Sequence, residues 1–277
     1  MTEPRHVNPW LVAVAVMFAT FMEVLDTTVV NVSLPHIAGN LSATIDEATW
    51  ALTSYLVANA IVLPMTGWLA SRFGRKRLIM LSVAGFTVSS VLCGLAPNLP
   101  MLIVFRCLQG ATGGAMQPLS QAVLLEAFPP KDRGKAMGFW GLGIVVAPIF
   151  GPVLGGWLTD SYSWRWVFYI NIPIGIMSLV MTRMYVFDPA YIRQEHRRID
   201  YWGIGMLAVG IGALQFVLDK GQEDDWFSSR TITTLAILSA VTLLALVINA
   251  LRNHDPVVDL RVFTERSNAV GVFLITV

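Results

Sequence analysis

The chain has 277 residues, 55% of them hydrophobic and only 13% charged, a composition that excludes an ordinary water-soluble globular domain and makes lipid the solvent for most of it. The formal net charge of +1 offers no basic excess, so no nucleic-acid partner is expected. Cys93 and Cys107 sit in apolar runs without a CxxC or CxxH neighbourhood, so both read as packing residues and no disulfide, metal or other cofactor is indicated.

In chain order, apolar stretches long enough to cross about 30 Å of hydrocarbon fall near 10–34, 49–70, 78–96, 101–125, 136–158, 166–187, 201–218 and 231–251, and a ninth begins at Asn268. The class is therefore an all-α transmembrane fold. The first run is long, carries two acids and lacks a small-residue cleavage site, so it reads as a retained span. Turn chemistry marks the breaks: Pro35 is expected to stop the first helix, Pro97 and Pro100 to bracket a tight connection, Pro129 and Pro130 to close the fourth span, and Pro189 to follow the sixth.

Fifteen of the 19 Lys and Arg fall on one set of alternate connections, from Arg5 through Arg72–Arg77, Lys131–Lys135, Arg183, Arg193, Arg197 and Arg198 to Arg252, Arg261 and Arg266. The other set holds Arg165, Lys220 and Arg230, and Arg106 lies inside a span. This asymmetry predicts a multi-pass inner-membrane protein with a cytoplasmic N-terminus. Trp10, Trp50, Trp157, Trp164, Trp166, Trp202 and Trp226 fall at predicted helix ends, where amphipathic rings suit the headgroup layer.

Two acids, Glu23 and Asp26, lie within the first span, where an ionised side chain costs at least about 2.5 kcal/mol and signals a function or a specific partner. Asp26 is roughly 24 Å along that span from Trp10, and Arg106 enters the fourth span from the opposite side at nearly the same depth, so the two are expected to pair. On a helical projection Thr20, Glu23, Asp26, Thr27 and Asn31 share one broad sector, expected to face a central cavity. Arg106, Gln109, Gly110, Gly113, Gly114 and Gln117 repeat at three- and four-residue spacing on the fourth span, and Tyr55, Asn59 and Thr66 add a polar line on the second. A structural ion pair holding two helices in register accounts for Asp26 and Arg106, but not for Glu23. One cation for two neighbouring acids leaves a carboxyl group to take up and release a proton, whichever of the two it is.

On the fifth span Gly143, Ala147, Gly151 and Gly155 recur every four residues, leaving a stripe with almost no side-chain volume. Pro148 and Pro152 share a neighbouring stripe and remove backbone donors, so this helix is read as a bending or gating element. Between the second and third spans the turn GWLASRFGRKR at 67–77 carries four cations in its last six residues. It is read as a positive-inside anchor, with Gly67 and Gly74 allowing close helix approach and a tight reversal that would suit a cytoplasmic hinge. The seventh and eighth spans hold only scattered Gly, Thr, Gln215 and Asn249 in their interiors and are expected to be peripheral to a transport path.

The segments LDTTVVNVSLP at 25–35, GWLASRFGRKR at 67–77, RCLQG at 106–110, APIFGPVLGG at 147–156 and WRWVFYINIPIG at 164–175 together resemble the major facilitator superfamily, specifically its fourteen-span drug:proton antiporters of the EmrB/QacA type. The resemblance covers the whole chain. It implies two six-helix bundles separated by two extra helices, with alternating access around a midplane cavity. The expected division is a six-helix bundle over 1–187, a cytoplasmic loop over 188–200, two linker helices over 201–252, and over 253–277 a loop and the start of a second bundle. The chain is thus expected to be the front portion of a longer protein.

By the same resemblance Asp26 is the proton-linked acid, Arg106 its relay partner, and Gly151, Pro152 and Gly155, within the motif Ala147–Gly156, form the antiport-linked bend. Arg72, Gly74, Arg75 and Lys76 fall on the loop motif, which usually carries an acid where this chain has Ser71. The expected substrate is a drug or other lipophilic toxic compound, exchanged for protons within the lipid bilayer. Thr27, Asn31, Tyr55, Asn59, Gln109 and Gln117 are expected to line its cavity. Relatives of this type work with a periplasmic adaptor and an outer-membrane channel. Export of one metabolite or fatty acid, and a non-transporting sensor or scaffold, are the competing classes. An enzyme is not expected, because GxxxxGK[ST], HExxH and GxSxG are all missing from the sequence.

Overall fold

The computed structural model describes residues 8–188, 200–253 and 255–258. Asn8 opens the first helix, α1 (Pro9–Asn40), by accepting from the Trp10 backbone N–H at 3.0 Å, with Pro9 supplying a preset φ at the first position. Pro35 does not stop it. The helix runs on past the proline to Asn40, and the Asn31 carbonyl, four residues earlier on an exposed face, loses its intrahelical partner.

Thr44 and Glu47 form a reciprocal capping box at the start of α2 (Ile45–Phe73): Glu47 N donates to Thr44 Oγ1 at 3.2 Å and Thr44 N to Glu47 Oε2 at 2.8 Å. Gly74, at φ 82, makes the reversal into α3 (Arg75–Leu95) without a linker residue to spare. Asn98 caps α4 (Leu99–Gly113). The span expected over 101–125 is then broken at Gly114 and Ala115 and continues as α5 (Met116–Ala127). Propensity explains the break, since Gly113 and Gly114 in succession weaken the helix there. After a 3-10 turn at Pro130–Asp132 come α6 (Arg133–Ser161), a single turn α7 (Trp166–Tyr169), α8 (Asn171–Tyr185), α9 (Tyr201–Lys220) and α10 (Arg230–Arg252).

Among the described residues seven helical stretches are long and apolar enough to cross a membrane; the remaining expected span is the broken α4 and α5 pair. Pro189, Arg5, Arg193, Arg197, Arg198, Arg261, Arg266 and the ninth span from Asn268 lie outside the described residues.

The chain divides into two compact units, Met1–Arg193 and Gln194–Val277. In the first, α1 is the central element, packed against α2, α5, α6, α7 and α8, while α3 and α4 pack on each other and on α8 and α2 respectively. Val16, Ala19 and Met22 of α1 share one apolar core with Ile79, Phe86, Met116 and Leu119. Leu25 and Val29 share another with Leu102, Ala147 and Phe168. In the second unit α9 packs along α10. There Asp200 caps α9 through Gly203 N at 2.9 Å and also accepts from Asn249 Nδ2 at 3.0 Å, and Ser239 Oγ donates to Gly210 O at 2.8 Å.

Candidate functional site

The second half of α1 places Asp26 between α4 and α8, with no exposure to solvent. Arg106 Nη1 donates to Asp26 Oδ2 at 2.5 Å, while Gln109 Nε2 and Asn171 Nδ2 both donate to Asp26 Oδ1, at 3.0 and 2.6 Å. Both oxygens of this carboxylate are thus served, Oδ2 by a cation and Oδ1 by two amides, the condition for burying a charge in a low-dielectric interior. Arg106, equally buried, also donates through Nε to Ala51 O at 3.0 Å and through Nη1 to Gln109 Oε1 at 2.7 Å. Its guanidinium lies 4.3 Å from the Tyr55 ring centroid and 5.8 Å from that of Phe168, where the ring quadrupoles favour a cation. One turn earlier on α1, Glu23 is 4% exposed and accepts from Asn59 Nδ2 at 2.9 Å through Oε1. Its Oε2, the Tyr55 hydroxyl and Arg106 Nη2 are buried without a hydrogen-bond partner.

Of the residues singled out in the sequence, the structure therefore brings Asp26, Arg106 and Gln109 into one network and joins Glu23 to Asn59 across α1 and α2. Thr27 is half-buried and donates to its own helix at Val24 O, 2.8 Å away, Gln117 is half-buried outside these hydrogen bonds, and Asn31 is exposed. The projected sector on α1 splits because its neighbours surround it: Thr20 turns to α6, where Trp140 Nε1 donates to its hydroxyl at 3.1 Å. Asn171, Ser90 and the Ala51 carbonyl complete the network without having stood out in the sequence. Asn171 lies in the segment at 164–175, and its amide at membrane depth was the available signal; it donates to Ser90 Oγ at 2.9 Å, and Ser90 in turn donates to Phe168 O at 2.8 Å.

Close backbone approach explains the glycines nearby. A Cβ on Gly110 would lie 2.2 Å from Tyr55 O, so α2 and α4 touch main chain to main chain. On α6 the stripe faces α1, where a Cβ at Gly151 would meet Thr28 Oγ1 at 2.1 Å and one at Gly155 would meet Val29 O at 3.1 Å; Ala147 is buried in the same row. Pro148 and Pro152 point to the exposed side of an unbroken α6, and Gly156 has open space around its Cα.

At the basic turn the expectation of close approach at Gly67 is not met, since nothing lies within 4 Å of a Cβ built there; the residue is on the exposed face of α2. Arg75 Nη1 pairs with Glu126 Oε2 at the end of α5, 2.5 Å away, and Arg72 lies 5.8 Å from the Trp68 ring. Lys76 is held by Asp188 Oδ1 at its backbone N–H and by Arg183 O at Nζ, both at 2.8 Å. Ser71 donates to Trp68 O at 2.8 Å within α2.

A sequence profile described as Major Facilitator Superfamily matches residues 16–197. Multidrug export protein EmrB of Haemophilus influenzae is 49% identical over 261 residues, covering 94% of this chain and 51% of that protein. Its Escherichia coli K12 counterpart is 44% identical over 266 residues, covering 96% and 52%. Fatty acid resistance protein FarB of Neisseria gonorrhoeae is 46% identical over 262 residues, covering 94% and 51%. The chain spans about half the length of the curated relatives it matches. Among solved structures, a D-xylose–proton symporter aligns with a TM-score of 0.59 at 16% identity over 87% of this chain and 67% of that one. A peptide transporter of the POT type aligns with a TM-score of 0.62 at 16% identity over 87% and 52%. At such identities the likeness shows the fold alone.

Proposed function

We infer that this chain, which belongs to the Major Facilitator Superfamily, moves drugs or other lipophilic toxic compounds outward across the bacterial inner membrane in exchange for protons, as the N-terminal half of a longer carrier. The observation that carries this reading is a buried site with two carboxyl groups and one guanidinium bonded to only one of them. Arg106 is committed to Asp26, whereas Glu23 keeps an oxygen without a partner. A proton and a lipophilic cation compete for that negative charge, so loading one expels the other, which is the balance antiport requires. Glu23 is the group that meets the substrate or proton, and the Asp26 and Arg106 pair one turn away responds to its charge. The identity with multidrug export proteins from two bacteria supports the substrate class.

In this reading the carrier alternates access around a cavity lined by Thr27, Asn31, Tyr55, Asn59, Gln109 and Gln117. Ala147, Pro148, Gly151, Pro152, Gly155 and Gly156 form its gating helix, and the turn holding Gly67, Arg72, Gly74, Arg75 and Lys76 lies in the cytoplasm with the N-terminus. A periplasmic adaptor and an outer-membrane channel complete the export path. Proton release from the full-length carrier in proteoliposomes, on adding tetraphenylphosphonium, tests the reading. The wild type should release protons, while Asp26→Asn and Glu23→Gln should release fewer. Absence of coupled release in the wild type would refute proton coupling, and release by Glu23→Gln equal to the wild type would refute its assignment to Glu23. Efflux unchanged by Glu23→Gln and Asp26→Asn together would favour a scaffold. A second reading, fatty acid export, rests on the 46% identity to FarB; it predicts proton movement on adding a long-chain fatty acid and none with the cation.

A further inference from the structure

Away from the buried cluster, a groove of about 640 Å³ runs between the first turns of α3 and the last turns of α8. Its α3 wall follows one helical face from Lys76 to Ala84, roughly 12 Å of axis. Leu81, Leu179 and Val180 supply an apolar bed, and Leu81 and Val180 remain 53% and 49% exposed. Cations gather at one end: Lys76 and Arg77 from α3 and Arg183 from α8. Asp188 is the acid at this rim, and its Oδ1 is engaged by the Lys76 backbone N–H at 2.8 Å. Lys76 Nζ donates across to Arg183 O at 2.8 Å and lies 4.6 Å from the Phe187 ring centroid, which fixes the rim between the two helices. Arg77 and Arg183 are exposed, and among the described residues neither has a carboxylate partner.

We propose that this groove is a specific site for an anionic phospholipid, its phosphodiester held by Arg77 and Arg183 and one acyl chain lying along Leu81, Leu179 and Val180. Charge complementarity selects the ligand. Three cations against one acid attract a net negative headgroup, and guanidinium forks match phosphate oxygens, whereas the quaternary ammonium of a zwitterionic lipid is repelled by the same rim. A free phosphate would satisfy the rim but leave the apolar bed open to water or bulk lipid. This site stands apart from the transport reading, since it needs only that the chain is embedded in a bilayer.

Native mass spectrometry of the full-length carrier in mild detergent tests it, with phosphatidylglycerol and phosphatidylcholine of matched chains as probes. Phosphatidylglycerol should be retained preferentially. Arg77→Gln with Arg183→Gln should weaken it roughly 30-fold, about 1 kcal/mol for each basic residue, while the Lys versions keep most of the affinity. Ala84→Trp, which fills the bed and leaves the rim intact, should also lower retention; each variant is first checked for an unchanged elution volume. Equal retention of the two lipids, or phosphatidylglycerol binding unchanged in the double Gln variant, overturns the proposal. Displacement by millimolar inorganic phosphate together with indifference to Ala84→Trp also overturns it, by assigning the rim to the free ion.

Discussion

Removing one member of the Asp26 and Arg106 pair should be far more damaging than replacing both. The two side chains are fully buried, and deleting one partner of such a pair costs about 3–5 kcal/mol because the other charge is stranded. Arg106→Gln falls at the lower end, about 3 kcal/mol, since Asp26 keeps the amide donors of Gln109 and Asn171. Asp26→Asn falls near the upper end, about 5 kcal/mol, because the guanidinium then has only the Ala51 and Gln109 oxygens and already carries an unpartnered Nη2. In the double variant two neutral amides replace the ions, and the loss should fall to about 1–3 kcal/mol, the desolvation of imperfectly paired polar groups. Tryptophan fluorescence during unfolding by SDS in mixed micelles gives the three free energies, and from the losses above the cycle should return a coupling of about 5–7 kcal/mol. Additivity within about 0.5 kcal/mol would mean that the pair is not coupled and that the geometry is not the one that stabilises the bundle.

Gly110→Ala would place a methyl 2.2 Å from Tyr55 O, and because backbone cannot swing aside, a loss of about 3 kcal/mol is expected, with a lowered thermal midpoint. Gly151→Ala meets Thr28 Oγ1 at 2.1 Å and Thr28 Cβ at 2.6 Å; the hydroxyl can rotate away but the Cβ cannot, so about 2–3 kcal/mol is expected. Gly67→Ala, with open space around it, should be neutral or stabilising by up to about 1 kcal/mol; the opposite order of these two in the same melting assay would contradict the packing described. Asp200→Ala removes both the cap at Gly203 and the partner of Asn249, and should cost about 1–2 kcal/mol, read as faster amide exchange at the start of α9; unchanged exchange would remove the cap from the account.

The spans and the meeting of Asp26 with Arg106 were legible because charge at membrane depth is costly enough to leave few arrangements open. What the sequence hid is tertiary. Asn171 looks like an isolated amide before Pro173 until α8 packs beside α1, and the Ala51 carbonyl, which serves Arg106 Nε, has no side-chain signature at all. Pro35 misled because the rule that proline ends a helix describes chains competing with water, whereas a helix in a packed bundle gains more by continuing than one lost donor removes. The single polar sector on α1 misled for a different reason: a helical projection assumes one polar side, but α1 is flanked by helices in several directions and sends Glu23 to α2 and Thr20 to α6.

Asp26 Oδ1 receives an amide from α4 and another from α8, so a single oxygen atom fastens three helices together. Neither Gln109 nor Asn171 carries a titratable donor, and acidity alone leaves both fasteners able to grip. For α8 to slide along α1, or α4 to turn about it, one of these grips must open while the oxygen is still shielded from water. Such a rivet resists gradual sliding and yields in one step, so the first unit would shift between discrete packings instead of flexing through a continuum.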